Sequence, residues 1–380
     1  ICGFCQEGFG VLDMSVHKGQ RSSTATDYLD PAKTRKNLEI ITGAQVQRIL
    51  LDGISATGVR YKKDDGQIVE THARREVLLS AGAVGSPQLL MLSGIGPASH
   101  LQNVNVPVIV DLPGVGQNLM DHPDFVMKYR CLQPVSIWPK TRLVGRFLAG
   151  IRWLLRNDGI CASNQFEAVA CLRSSAGVEY PDIQLTISPV AVNDETWEPL
   201  SEHAFQIHIG LMRTYSRGHV YLRDSNASTA PRILVNYMKD PRDRDVLRKG
   251  IRLVRELVDQ PAFDNLCGEE IYPGVSAQSD QEFDTCLEKK LTTQWHLSGT
   301  AKMGNRDDRS AVVDAQGKVR GINKLRVVDA SIMPTVTNGN TNSPTIMIAE
   351  KLSDSILGKA PLPRIDVPFW QSCDYDTRQR

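Results

Sequence analysis

No stretch of the 380 residues approaches the roughly eighteen consecutive apolar residues that a membrane-crossing helix needs, so the chain is not read as a spanning protein. An excess of one charge is equally absent. Forty-four Lys and Arg face 43 Asp and Glu, which argues against a nucleic-acid binder and against an acidic solvating tail. No tandem repeat and no low-complexity tract occurs. Six of the eight cysteines are scattered, at 131, 161, 171, 267, 286 and 373; the other two form the pair Cys2 and Cys5, with no second pair or histidine at zinc-ligand spacing. That scatter fits a reducing compartment better than a disulfide framework. The hydrolase elbow GxSxG is missing. Three glycine clusters, at Gly8 and Gly10, Gly94 and Gly96, and Gly114 and Gly116, each lack the third glycine of a dinucleotide fingerprint. The first residue is Ile1, with no initiator methionine or signal pattern, so the chain is expected to begin partway through a longer protein.

What is present is enough apolar sequence for two or three domains at about 150 residues each. Apolar runs at 37–42 and 45–51, with turn signals at Asp52-Gly53 and Asp64-Asp65-Gly66, predict a strand meander. A short buried strand at 75–82 then leads to a helix, with Ser86 as N-cap, Pro87 at its first position and Gly94 after its end. From about 125 to 235 the pattern alternates, as in residues 205–211, predicting half-buried antiparallel strands. Helical spacing of Val246, Leu247, Ile251, Val254 and Val258 follows, and Ser279 with Glu282 forms a capping box. Residues 324–329 read as a buried strand ending on Asp329. After an amide-rich loop, a last helix over 345–357 offers its N-terminus as an anion seat.

Two distant residues suggest chemistry. His296 follows Trp295, and Asn340 lies 44 positions on, in the loop that opens the last helix. Facing one cavity, the imidazole can accept an alcohol proton while the carboxamide donates a hydrogen bond to the same oxygen.

The fifteen residues from Gly82 through Ser86, Pro87 and Gln88 to Gly94-Ile95-Gly96 resemble the second signature of the glucose-methanol-choline (GMC) oxidoreductases. Further blocks are similar to the choline-oxidising branch of that family: Gln6 to Gly10, Leu112 to Leu119, Val327 to Pro334 and Pro344 to Lys351. The resemblance implies an α/β fold in which an FAD-binding Rossmann-like domain, incomplete here, joins a substrate domain built on an antiparallel sheet flanked by helices. It places the FAD-binding part at 1–124 and 296–360, the substrate domain at 125–295 and a tail at 361–380. An upstream segment with GxGxxG is implied, so the chain is expected to be an N-terminally truncated fragment and inactive alone.

By the same resemblance His296 and Asn340 match the active-site pair, Asp329 and Ala330 lie near the FAD phosphates and ribityl chain, Asn342 and Thr345 near the flavin ring, and Val46 near the adenine. Leu297 departs from the proline usual after the histidine, which loosens the substrate assignment. Glu167, after Phe166, matches a glutamate that pairs with a trimethylammonium head. A quaternary ammonium has no N–H to donate, so its recognition rests on Coulomb attraction and aromatic faces. The implied activity is FAD-dependent oxidation of choline to the aldehyde, on the route to betaine. Alternatives are a GMC dehydrogenase for uncharged alcohols and a non-redox lyase or ligand-binding relative. The electron acceptor, oxygen or a quinone-linked chain, is left open. The compartment is left open, the resemblance pointing to a bacterial cytoplasmic or a mitochondrial inner membrane; peripheral membrane association is allowed for, and no nucleic-acid partner is expected.

Overall fold

The computed structural model describes residues 4–368 and 370–379; Cys2 lies outside them. Its mixed α/β architecture contains two main apolar cores, each organised by a different kind of sheet.

In the first core, Val77–Leu79 and Leu325–Val327 pair in parallel, and both strands are mostly buried. Against them packs the helix Gly82–Leu92 through Leu90 and Met91. This helix begins five residues earlier than the sequence suggests, because Gly82 adopts a left-handed φ of +78° and turns the chain straight out of the strand. Ser86 is therefore no cap; its hydroxyl donates to Asp329 at 2.5 Å instead. Pro87 falls inside the helix, where it cannot donate to the carbonyl of Ala83. The hydroxyl of Thr300 takes that place at 2.6 Å.

The expected meander forms from Ala44–Asp52, Ser55–Lys63 and Ile68–His72, with turns at the predicted positions. Residues 37–42 are not a strand. Leu38, Ile40 and Ile41 stand exposed, with no strand alongside them among the described residues.

The second core lies beneath a seven-stranded antiparallel sheet. Its order is Gly8–Val11, Ala168–Leu172, Ile183–Ser188, Ala204–Leu211, Pro123–Cys131 and Cys267–Tyr272, with Thr292–Thr293 also on Pro123–Cys131. The N-terminal Gly8–Val11 thus adds to this sheet rather than to the first core. Period-two alternation divides its faces. Phe125, Met127, Ile183, Leu185, Ile207 and Ile209 point into the core under the helices Pro241–Val258 and Asp280–Lys290. Asp240 caps the first of these helices and the expected Ser279 and Glu282 capping box starts the second. Gly250 lets the long helix approach closely, since a Cβ there would meet Ile209 at 2.5 Å. The opposite sheet face carries Asp124, Gln184, Thr186, Gln206 and His208, and it becomes the wall of a cavity.

Candidate active site

That cavity, of about 540 Å³, is lined by polar residues of the sheet face, by Phe166, Trp197, Tyr272 and Trp295, and by His296 and Asn340. His296 arrives there through a short backbone zipper. Met120 and Ser298 exchange N–H to carbonyl bonds of 3.0 and 2.9 Å, and Gln294 donates to the carbonyl of His122 at 2.9 Å. Between these anchors Trp295 takes a left-handed φ of +63°, and the residue is 74% exposed.

Asp121 fixes the turn that carries His296. One carboxylate oxygen accepts the backbone N–H of His296 at 2.9 Å, and the other accepts the hydroxyls of Tyr237 and Thr293. Burial, and then the neighbouring Asp121 carboxylate, hold the Tyr237 proton on well past the usual range. Burial draws the pKa of His296 below its ordinary value, while the negative charges of Asp121 and Asp124 act the other way. The Nε2 of His296 lies 3.4 Å from the Asn340 amide nitrogen, and Gln184 donates to Asn340 Oδ1 at the same distance. The two residues that the sequence pairs therefore meet in one cavity.

On the other side of His296, its Nδ1 lies 2.9 Å from Nδ1 of His122, with the rings edge to face. His122 is 1% exposed, and burial, then the neighbouring imidazole, pushes its pKa down to about 4. On the sheet face, His208 contacts Asp124 at 2.7 Å and Gln206 at 2.8 Å, and Phe166 packs edgewise on it. Asp121, His122, Asp124, Gln184 and His208 were not selected from the sequence. The visible signal was the run Asp121-His122-Pro123-Asp124, directly after a family block.

A second cavity, of about 1050 Å³, adjoins the first and shares Leu12, Phe166, Gln184 and Asn340 with it. Its lining includes Asn338, Asn342, Ser343 and Ile346, at the start of the helix Asn342–Ile356, and residues 13–16. No side chain caps that helix, and the buried Oδ1 of Asn338 has no hydrogen-bond partner. An uncapped N-terminus next to an orphaned acceptor suits a heteroaromatic group whose edge carries both carbonyls and N–H groups. The residues present thus fit a flavin.

Not all expected site residues converge. Asn342 lines the larger cavity, whereas Val46, Asp329, Ala330 and Thr345 line neither. Val46 pairs with Tyr61 within the meander. The hydroxyl of Thr345 donates back to the carbonyl of Thr341. The carboxylate of Asp329 is occupied by Gly82 N–H, Ser86 and Ser331, clamping the glycine turn to the C-terminal segment. Glu167 is exposed and lines neither cavity, although Phe166 lines both. Adjacent residues of an extended chain face opposite ways, and here the aromatic ring takes the inward direction.

The GMC oxidoreductase family profiles match residues 2–124 and 214–349. An oxygen-dependent choline dehydrogenase of Pseudomonas syringae pv. tomato is 47% identical over 378 residues, covering 99% of this chain and 66% of the relative. A protein of the same name from Burkholderia ambifaria is 47% identical over 369 residues, covering 97% of this chain and 65% of its own length. The chain therefore spans just under two thirds of the curated relatives it matches. Among solved structures, a formate oxidase variant from Aspergillus oryzae superposes with a TM-score of 0.86 at 25% identity, over 93% of this chain and 66% of that one. Pyridoxine 4-oxidase from Mesorbium loti superposes with a TM-score of 0.81 at 26% identity, over 93% of this chain and 65% of that one.

Proposed function

The chain belongs to the GMC oxidoreductase family, whose members are FAD-binding flavoproteins, and from that premise we propose that it serves the oxidation of a primary alcohol, with choline the best-fitting substrate. The observation that carries this reading is the meeting of His296 Nε2 and Asn340 Nδ2 at 3.4 Å in a cavity that opens onto the larger groove.

Bound FAD supplies the two-electron acceptor, with Asn338, Asn342, Ser343 and Ile346 of the groove as the residues that would hold it. The chain's own residues prepare the alcohol. His296 accepts the hydroxyl proton at Nε2, because an alkoxide releases hydride far more readily than a neutral alcohol does. Asn340 donates its amide N–H to the same oxygen, and Gln184 holds its carboxamide in that orientation. Burial keeps His296 neutral and ready to accept a proton at neutral pH.

Choline is favoured by the walls. Phe166, Trp197, Tyr272 and Trp295 offer aromatic faces to a cation that has no N–H. Glu167, the expected anchor, is outside the cavity in this structure; Asp194 and Glu195 line it, and Asp194 is already paired with Lys128 and Lys290. Recognition in this reading rests first on the aromatic walls.

Attachment to a membrane surface is supported by the helix Leu143–Arg156, none of whose residues is buried, and a quinone-linked acceptor belongs to that reading. The named relatives are oxygen-dependent by name, so oxygen is the competing acceptor. Anaerobic addition of choline to the complete flavin-loaded protein tests the activity: bleaching of the flavin absorbance is expected, and its absence would favour a lyase or a binding protein. Turnover of an isosteric neutral alcohol as fast as choline would favour the dehydrogenase for uncharged alcohols.

A further inference from the structure

His122 is one of the most deeply buried polar residues of the site, and the chemistry just described leaves it without a role. Its Nδ1 lies 2.9 Å from His296 Nδ1, so one nitrogen must carry the hydrogen and the other a lone pair. Which one is decided at the far edges of the two rings.

The Nε2 of His122 has no hydrogen-bond partner, and the backbone carbonyls of Met212 and Thr337 lie beside the ring. Carbonyl oxygens beside a ring attract an N–H and repel a lone pair, and Nδ1 is the nitrogen already turned to His296, so Nε2 carries the proton and Nδ1 is left as an acceptor. Burial keeps the ring from taking a second proton near neutral pH. The hydrogen between the two Nδ1 atoms then belongs to His296. At the other edge, Asn340 Oδ1 already accepts from Gln184, which turns the amide N–H of Asn340 toward His296 Nε2. An amide N–H directed at Nε2 requires a lone pair there. Both edges give the same assignment.

We infer that His122 is a positioning residue that locks His296 in the Nδ1–H tautomer, so that the free lone pair on Nε2 faces the substrate cavity. The inference rests on the reading of His296 as proton acceptor. The opposite tautomer would place an N–H where the alcohol proton has to go. When Nε2 takes that proton, the Nδ1–H bond to His122 strengthens and holds the charged ring in place.

The test uses the complete flavin-loaded protein with ¹⁵N-labelled histidine. Ring nitrogen spectra near pH 8 should show His296 protonated at Nδ1 and bare at Nε2, and His122 the reverse. His122→Asn keeps an acceptor oxygen at the position of Nδ1 and should preserve the tautomer of His296. His122→Leu should give a mixture, with kcat lowered about 10- to 100-fold and KM changed by less than about twofold. His296 protonated at Nε2 in the unaltered protein would overturn the inference, as would His122→Leu with an unchanged tautomer. If the leucine variant does not fold, the spectra of the unaltered protein and of His122→Asn decide alone. Normal flavin reduction in His296→Ala would instead remove the proton-acceptor reading and leave the tautomer to the spectra.

Discussion

Asp121 accepts the backbone N–H of His296 at 2.9 Å, although the two lie 175 positions apart in the chain. The same carboxylate holds the hydroxyls of Tyr237 and Thr293, so the turn 293–296 and the distant Tyr237 meet on one side chain. Asp121→Asn keeps the shape but turns one acceptor edge into a donor, leaving a buried hydroxyl or amide without a partner. Loss of about 1 to 3 kcal/mol in denaturant unfolding is expected, with flavin reduction slowed about tenfold or more as the histidine turn loosens. Unaltered reduction kinetics would remove Asp121 from the positioning of His296.

The acidity of His296 fixes the shape of the pH profile. A proton acceptor works only when neutral, and burial sets its pKa below the ordinary value near 6.5. Catalytic efficiency should rise with pH on a limb lying below about 6.5 and stay level above it. In Asp121→Asn a charge that raises the pKa is gone, so the limb should move to still lower pH. Stopped-flow reduction of the flavin across pH 5 to 8 measures both, and a limb lying above about 7 in the unaltered protein would contradict the assignment.

How much of this was legible in the sequence varies with the physics involved. The capping box of Ser279 and Glu282 and the turns at Asp52 and Asp64 are local, and they formed where expected. Ser86 and Pro87 failed as a helix start because partners far along the chain, Asp329 and Thr300, satisfy the groups that would otherwise have required a cap. His296 and Asn340 could be named as an imidazole and a carboxamide matched by the family resemblance, and the cavity brings them together. His122 shows locally only as part of the run Asp121-His122-Pro123-Asp124, and Gln184 carries no local signal, since each matters through a partner 174 or 156 residues away. Glu167 shows the reverse failure: a neighbour in sequence, Phe166, reaches both cavities while the carboxylate does not.

Trp197 and Trp295 are 66% and 74% exposed at a cavity that also contains Phe166 and Tyr272. Side chains so exposed contribute little to folding, so replacing them should affect the substrate more than stability. Trp295→Ala is expected to lower kcat/KM for choline about 3- to 30-fold, corresponding to roughly 0.5 to 2 kcal/mol of cation–π attraction, while the isosteric neutral alcohol changes less than twofold. Equal losses for the two alcohols would assign the tryptophan to shape rather than charge.

Burial of His122 also shapes acid stability. Its pKa is about 4 in the folded protein, against about 6.5 unfolded, so between those values the unfolded chain binds a proton that the folded one refuses. Stability therefore rises with pH across this window, is complete above about 6.5 and is lost as pH falls toward 4. The contribution is at most on the order of 3 kcal/mol. His122→Asn cannot titrate there, and its stability should fall less steeply than that of the unaltered protein from pH 7 to 4.5. Parallel urea-unfolding curves across that range would show that the ring is not held neutral.

The helix Leu143–Arg156 has no buried residue. At 100° per residue, Leu143, Val144, Phe147, Leu148, Ile151, Leu154 and Leu155 share one side, while Arg146, Arg152 and Arg156 lie on the other. No acidic residue occurs between 142 and 156. Trp153 tethers the helix by donating to the carbonyl of Gly19 at 2.7 Å. An apolar face flanked by arginine suits the interface of an anionic bilayer, where the side chains bury and the guanidinium groups meet phosphates. Vesicles containing phosphatidylglycerol should sediment the protein and neutral vesicles much less, with binding falling as salt rises. Phe147→Ser combined with Leu154→Ser should abolish sedimentation without changing flavin reduction, because neither residue lines the cavities. Binding that survives the double substitution would place the membrane contact elsewhere on the surface.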